Sequence, residues 1–337
     1  MKENSLRVLA RLGIFERVAS SGVRLLRGEV RDERRRLLLN RGMESEVVYT
    51  VKRGELHRAL LDAAVQSGAI IETSSRVAGA TANGELVLES GVRVNADVVI
   101  GADGFHSKVR DSLGMAKSAT LLSDGTTRLL IKRSPAEADG VSVEHWGGRH
   151  RIGVVPCTAT ETYVFLASPE NDRRGVQVPL DKEYWISRFP HLRHVIERVG
   201  PDGAVHHAHP YVVPNTWVRG RTAIVGDAAH AQPPNLGQGA GLAIANAMHL
   251  ADALSATRDV PAALENWERS ARPLADEVQS WSYRYSVISA AWPFLYDARS
   301  ALVWGIAHWR PTGSRWGYLW RGGLTPPSER PDHLLAV

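Results

Sequence analysis

The chain has 337 residues, 44% hydrophobic and 23% charged, the balance of a globular protein with a full core in two compact domains or one large discontinuous one. Its formal net charge of +5 is mild for that length and favours anionic small molecules over committed nucleic-acid binding. The single cysteine, Cys157, excludes an internal disulfide and a thiolate metal cluster, fits a reducing, cytoplasmic compartment, and reads as a buried small hydrophobe rather than a nucleophile.

In chain order, LRVLARLGIFERVA spaces Leu6, Leu9, Ile14 and Val18 as an amphipathic helix does, with a break expected at Gly13. The start, MKENSLRVLARLG, lacks the apolar core of a signal peptide. The basic run RDERRRLLLNR, Arg31 to Arg41, contains acids, lacks aromatics and runs into leucines. It reads as a solvated strand or hairpin face, not a nucleic-acid patch. RGELHRALLDAAVQS predicts a helix over 53–67, ended by Gly68.

AIIETS, ELVLES and VRVNADVVIGAD then read as strands, the last with the unbroken Val98-Val99-Ile100 of a strand covered on both faces. From 126 to 214, TRLLIKR, VSVEHWG, RIGVVPC and TYVFLAS predict an inserted antiparallel sheet, with a helix near 181–199. An apolar strand returns in TAIVGD, and an Ala-rich helix is expected over 239–256, with helical pieces beyond it. Six of the ten tryptophans lie from Trp281 onward, so the tail has apolar faces to bury, on the insert or on a second subunit. Asp297 and Arg299 interrupt it, short of the roughly 18 apolar residues of a membrane span.

Two stretches carry chemistry. In ADVVIGADGFHSKVR a buried strand ends at Asp103 and Gly104 before a helix that Ser107 can cap. Ligands of open α/β sheets lie beyond such strand ends, and the same Asp and Gly also serve plain turn geometry. In AIVGDAAHAQPPNLGQGAG, Asp227 closes a strand, Pro233-Pro234 stiffens the backbone, and Gly237, Gly239 and Gly241 open a long helix. That helix terminus suits an oxygen or ring edge that turns negative during reaction. The alternatives there are close packing of the glycines or a metal on Asp227 and His230, for which no third ligand is evident. VHHAHPYVV is not a metal cluster, because on a strand His207 faces away from its neighbours. No G-x-S-x-G, P-loop or H-E-x-x-H motif occurs.

Together GADGFHSKVR, GDAAHAQPPNLGQGAG and YTVKRGELHRALLDAA resemble, in order, the signatures of the FAD-dependent aromatic hydroxylases, class A flavoprotein monooxygenases with the para-hydroxybenzoate hydroxylase fold. The resemblance implies an α/β fold: a Rossmann-like FAD-binding sheet, an inserted antiparallel β-rich substrate domain, and C-terminal helices. The expected division is 1–125 with 215–260 for the discontinuous FAD-binding domain, 126–214 for the substrate domain, and 261–337 for the helical region. By resemblance Arg53 contacts flavin, Asp103 and Gly104 lie near ribose and pyrophosphate, and Asp227 binds the ribityl chain. The backbone near Pro234, Gly239 and Ala240 meets the isoalloxazine.

The implied reaction uses NAD(P)H and O2 to hydroxylate an aromatic or related small molecule. No residue is assigned as the catalytic base. His145, Trp146, His209 and Tyr211 are candidate pocket residues, each more often structural than catalytic. A halogenase W-x-W-x-I-P signature is absent. The implied partners are the aromatic substrate and O2, without nucleic acid, metal or membrane span, and a homodimer is left open. The family's opening strand, G-x-G-x-x-G turn and helix have no counterpart here, so the expectation is either a sequence that begins at an internal methionine or a truncated product that holds FAD poorly or not at all. The alternative function is a flavin-free homologue acting as a non-catalytic binding or partner protein.

Overall fold

The computed structural model describes residues 1–43, 46–290 and 292–308. Helices α1 (Glu3–Arg11) and α2 (Phe15–Ser20) open the chain, separated at Gly13, whose φ of 72° ends the first. Strands β1 (Val23–Leu25), β2 (Arg27–Arg31), β3 (Leu37–Gly42) and β4 (Val48–Thr50) lead into α3 (Arg53–Gln66), which stops before Gly68 at φ 89°. Strands β5 (Val77–Ala80), β6 (Glu85–Leu88) and β7 (Arg93–Asn95) form a small antiparallel sheet, and β8 (Val99–Gly101) runs into α4 (Lys108–Ser112).

The β-rich part follows as β9 (Ala116–Lys132), β10 (Val141–Gly147), β11 (His150–Pro156) and β12 (Glu161–Pro169). Then come α5 (Lys182–Arg188), α6 (Arg193–Ile196) and β13 (Val205–Pro214). Strands β14 (Val218–Arg219) and β15 (Thr222–Ile224) return to the first part. Helices α7 (Asp227–His230), α8 (Gly239–Ser255), α9 (Val260–Ser289) and α10 (Tyr296–His308) complete the described chain.

The two strands with continuous apolar runs are neighbours. β15 and β8 pair in parallel, Thr222 opposite Val99 and Ile224 opposite Gly101, in a three-stranded sheet ordered β14-β15-β8. Beneath them Trp217, Ile224, Leu264, Trp267 and Val278 form the fully buried heart of a core that fastens α8 and α9 to the sheet. Such burial stabilises by about 25 cal/mol per Å² of apolar surface removed from water.

The second sheet has seven strands in the order β13-β9-β12-β11-β10-β2-β3, antiparallel except for the β10–β2 pair. It therefore takes in residues 27–42, from outside the stretch 126–214. The Arg-rich run is the hairpin of that edge. Asp32 accepts from the Arg34 and Arg36 backbone and pairs with the Arg36 guanidinium, Arg31 pairs with Glu29, and Arg34 with Asp297. One sheet face packs Leu129, Ile131, Ile152 and Leu166 against Trp185 and Phe189 of the α5–α6 segment. The opposite face turns towards α9.

Two expectations are corrected. AIIETS forms no strand: Ile70 and Ile71 are exposed after α3, and no strand among the described residues pairs with them. A strand is made by its partner, not by β-branched residues alone. The helix expected near 181–199 is two, because Pro190 pushes Phe189 out of helical geometry (φ −128°, ψ 66°). Asp181 caps the first, accepting from Tyr184 N at 3.0 Å. Among the described residues no helix is long and apolar enough to cross a membrane. Of the Trp-rich tail, residues 309–337 lie outside the described residues; within them Tyr285 packs edge-to-face on Trp146 of the insert, ring centroids 5.8 Å apart.

Candidate active site

β8 and β15 end side by side, so their following turns open onto one groove. Val225 N donates to Gly101 O at 3.0 Å, continuing the pairing to the last residue. Gly101 must be small: a Cβ there would lie 2.8 Å from Val109 and 3.2 Å from Ile224. Gly226 turns at φ 60° and ψ −140°, a conformation open to glycine alone, and sets Asp227 at the start of α7. Buried Arg110 ties the two turns together, donating to Ala228 O at 3.3 Å and pairing with Asp111 at 2.9 Å.

Asp103 Oδ2 accepts from Lys108 N (2.7 Å) and Val109 N (3.2 Å), while Ser107 Oγ accepts from Arg110 N (3.0 Å). The turn role weighed for Asp103 is therefore real. Gly104 beside it has φ 76°, and nothing lies within 4 Å of where its Cβ would stand.

Asp227 is solvent-accessible, yet the surrounding walls of protein push its carboxyl above the usual range, with the Arg53 charge pulling the other way. Among the described residues neither Asp227 nor Arg53 makes a side-chain hydrogen bond or ion pair. Arg53 starts α3, and this same start is fastened to the insert by the Lys52–Glu161 ion pair.

The loop after α7 forms the groove's far lip. Gln232 is buried, and its Oε1 has no partner among the described residues. Pro233 is extended (φ −54°, ψ 148°), Pro234 begins a 3-10 turn, and Gly237 is left-handed at φ 59° with open space around its Cβ position. α8 then starts at Gly239 without a side-chain cap, and Ala240 is exposed. The alternating glycines have different reasons. Gly237 makes the turn and Gly239 leaves room, its Cβ position meeting only Gln232 Nε2 at 3.9 Å, whereas Gly241 packs against Ser5, whose Oγ is 3.3 Å from its Cβ position.

The insert sheet supplies the opposite wall. His145 points away from the groove, its Nδ1 3.1 Å from His191 Nε2 on the α5–α6 side. Trp146 points inwards, and its Nε1 donates to Glu144 at 2.9 Å. His209 is buried with Nε2 2.6 Å from Thr126 Oγ1, and Tyr211 pairs with Tyr283 at 5.4 Å. Strand register puts Arg128 opposite Phe165, and His207 opposite Thr126 two residues along, so that Tyr163, Phe165, Arg128 and His207 share this face. Partial desolvation and the Arg128, His206 and Arg53 charges hold His207 below the usual imidazole range.

Sequence reasoning missed Arg151 and Asn235. Arg151 Nη2 donates to Asn235 Oδ1 at 2.7 Å, joining the insert to the loop. No spacing pattern signals that contact.

Buried histidines give the site's scaffold an acid limit. Burial lowers His145 and His230 to about 4 and His209 to about 3. Each folded value lies below the unfolded one near 6.5, so between them the unfolded chain binds more protons. Stability is full above about pH 6.5 and falls as pH drops towards 4, by up to about 1.4 kcal/mol per pH unit for each histidine. Urea midpoints at pH 7 and pH 5 check this: His230→Gln should lose less than the wild type, and an identical loss would exclude His230 as a contributor.

The FAD binding domain family matches residues 1–282. The 2-heptyl-3-hydroxy-4(1H)-quinolone synthase of Mycobacteroides abscessus is 36% identical over 246 residues, 72% of this chain and 66% of that protein. The chain thus spans just under two thirds of that relative's length. The solved tetrameric form of 2-methyl-3-hydroxypyridine-5-carboxylic acid oxygenase superposes with a TM-score of 0.79 at 32% identity, over 85% of this chain and 79% of that one. Klebsiella pneumoniae HpxO, solved with FAD and uric acid, gives a TM-score of 0.80 over 96% of this chain and 87% of that one; at 22% identity this speaks for the fold alone. With the family matched over most of its length, and the expected α/β sheet, β-rich insert and C-terminal helices in place, this chain belongs to the FAD-binding family of flavin-dependent aromatic hydroxylases, the class A monooxygenases.

Proposed function

We propose that the chain binds FAD in the groove between Asp227, Gly104 and the start of α8, and hydroxylates an electron-rich aromatic ring with NAD(P)H and O2. The observation that carries this reading is the pair of accessible, unpartnered charges, Asp227 and Arg53, beside an open glycine lip and the uncapped start of α8. These residues fit FAD. Asp227 can accept from ribityl hydroxyls, and the buried, unpartnered Gln232 Oε1 offers a further acceptor. The α8 terminus, with roughly half a positive charge, and Arg53 suit the ring edge that gains negative charge on reduction. Asp103 and Gly104 would adjoin the ribose and pyrophosphate, and Pro234, Gly239 and Ala240 the isoalloxazine.

When bound, FAD supplies hydride acceptance and oxygen activation. The overall balance is substrate C–H, O2, NAD(P)H and a proton giving the hydroxylated substrate, water and NAD(P)+. The protein's own part is orientation and exclusion of water. Pro233 and the 3-10 turn after it form a stiff lip, Phe165 and Tyr163 offer aromatic faces for a planar substrate, Arg128 makes that wall cationic, and His207 beside it favours the neutral ring. Relatives are named for a quinolone product and for a hydroxypyridine carboxylic acid, which favours a small, planar, electron-rich heteroaromatic here. We place the protein in the cytoplasm, where Cys157 stays a thiol, and a homodimer remains compatible with the exposed apolar residues of α10.

The test is turnover with FAD, NADH or NADPH, labelled O2 and a panel of hydroxypyridines and 4-quinolones. One labelled oxygen atom should enter the product. Hydrogen peroxide as the sole product across the panel would contradict the reading.

A further inference from the structure

The last described helix, α10, reaches the groove through a series of buried and half-buried groups. Arg299, on its first turn, is buried; its Nη1 donates to Ser289 O at 3.0 Å, and its Nη2 pairs with Glu33. The other Glu33 oxygen accepts from Gly148 N at 2.9 Å, in the β10–β11 turn. The Arg299 guanidinium lies 4.8 Å from the Trp146 ring centroid.

From Trp146 the series continues. The indole Nε1 and Arg151 Nη1 share Glu144 Oε1, at 2.9 and 3.2 Å, and Arg151 Nη2 donates to Asn235 Oδ1 at 2.7 Å. Asn235 Nδ2 donates to Ser286 Oγ (2.6 Å) and Ser282 O (2.8 Å), and Ser282 Oγ donates to Pro233 O. Arg299 and the lip Pro233–Gly239 are thus ends of one network.

We infer that Arg299 is a positioning residue for the groove: anchored by Glu33 and Ser289, it fixes the Trp146 ring and, through Glu144, Arg151 and Asn235, the lip 233–239. The inference rests on the reading that this lip faces flavin. The physical ground is that Arg299, Trp146 and Arg151 are buried and Glu33, Glu144 and Asn235 half-buried, where removing one partner leaves the next incompletely satisfied. Without Arg299, Glu33 keeps only its Gly148 contact and loses its ion pair, and the Trp146 ring loses its cationic cover, so the donor on Glu144 is free to turn. A clamp that only held α10 down would act on stability and nowhere else.

The full-length chain decides between these roles by two readouts: amide hydrogen exchange over 236–239 before flavin is added, and FAD affinity by titration. Arg299→Met is expected to speed exchange in that segment about tenfold and to weaken FAD by a similar factor. Added to Asn235→Ala, it should change neither further, because both substitutions break the same series. Two results overturn the inference. One is additive effects in the double variant, the behaviour of independent sites. The other is an Arg299→Met chain that melts earlier yet keeps wild-type lip exchange. If Arg299→Met does not fold, Trp146→Phe keeps an aromatic face while removing the indole donor with part of the ring, and unchanged lip exchange there overturns the inference equally. A chain that never binds FAD refutes the flavin reading, while the exchange data still decide the role of Arg299.

Discussion

Replacing Asp227 by alanine is expected to weaken FAD binding about ten- to a hundredfold, the loss of one charge-assisted hydrogen bond worth about 1.5–3 kcal/mol. The fold should survive, for a reason visible in the site. Asp227 is accessible and makes no side-chain hydrogen bond or ion pair among the described residues, so its removal strands no buried group there. Its carboxyl is already pushed up by the surrounding protein, so the charge is an electrostatic burden on the flavin-free chain. Alanine should therefore leave the urea midpoint unchanged or slightly raised. FAD titration of wild type and variant, with both midpoints, separates binding from folding. Equal affinities would remove Asp227 from the site.

The second large effect concerns the support behind α8. Trp267 is 2% exposed, its Nε1 donates to Asn246 O in α8 at 3.1 Å, and its ring lies 5.3 Å from that of Trp217. Trp267→Ala opens a cavity where α9 meets α8 and removes the indole hydrogen bond to α8, so it should cost about 3–5 kcal/mol. The urea midpoint falls with its slope unchanged. FAD affinity falls too, since the lip of the groove, residues 233–239, runs directly into the start of the same helix. Trp267→Phe retains most of the packing and should lose less than half as much. A Trp267→Ala chain within about 1 kcal/mol of wild type would mean that this core does not carry the helix.

The strand ends that frame the groove were legible because their signals are local. Val98-Val99-Ile100 and TAIVGD are continuous apolar runs ending in Gly and Asp, and both become strands of one parallel pair. The break at Gly13, the stop at Gly68 and the start of α8 at Gly239 are local as well.

What stayed hidden is set by partners far along the chain. The hairpin 27–42 reads correctly as a hairpin, but nothing in its residues says that β2 will pair in parallel with β10. Arg151 and Asn235 meet across 84 positions. AIIETS has the composition of a strand without a pairing edge among the described residues, and it stays unpaired. Gly237 and Gly241 look alike in the sequence, yet one makes a left-handed turn into open space and the other admits Ser5. His145 and Trp146, adjacent and both candidate pocket residues, fall on opposite faces because a strand alternates.

The central claim is a flavin cradle built from Asp227, Gly104 and the α8 terminus. Equilibrating the purified chain with excess FAD, removing free flavin by gel filtration and recording the visible spectrum tests it most directly. The account predicts flavin retained in proportion to protein, with absorption bands shifted from those of free FAD and lost together with binding in the Asp227→Ala chain. A folded chain that leaves the column colourless at every FAD concentration, or one whose retained flavin is indifferent to Asp227→Ala, would contradict it.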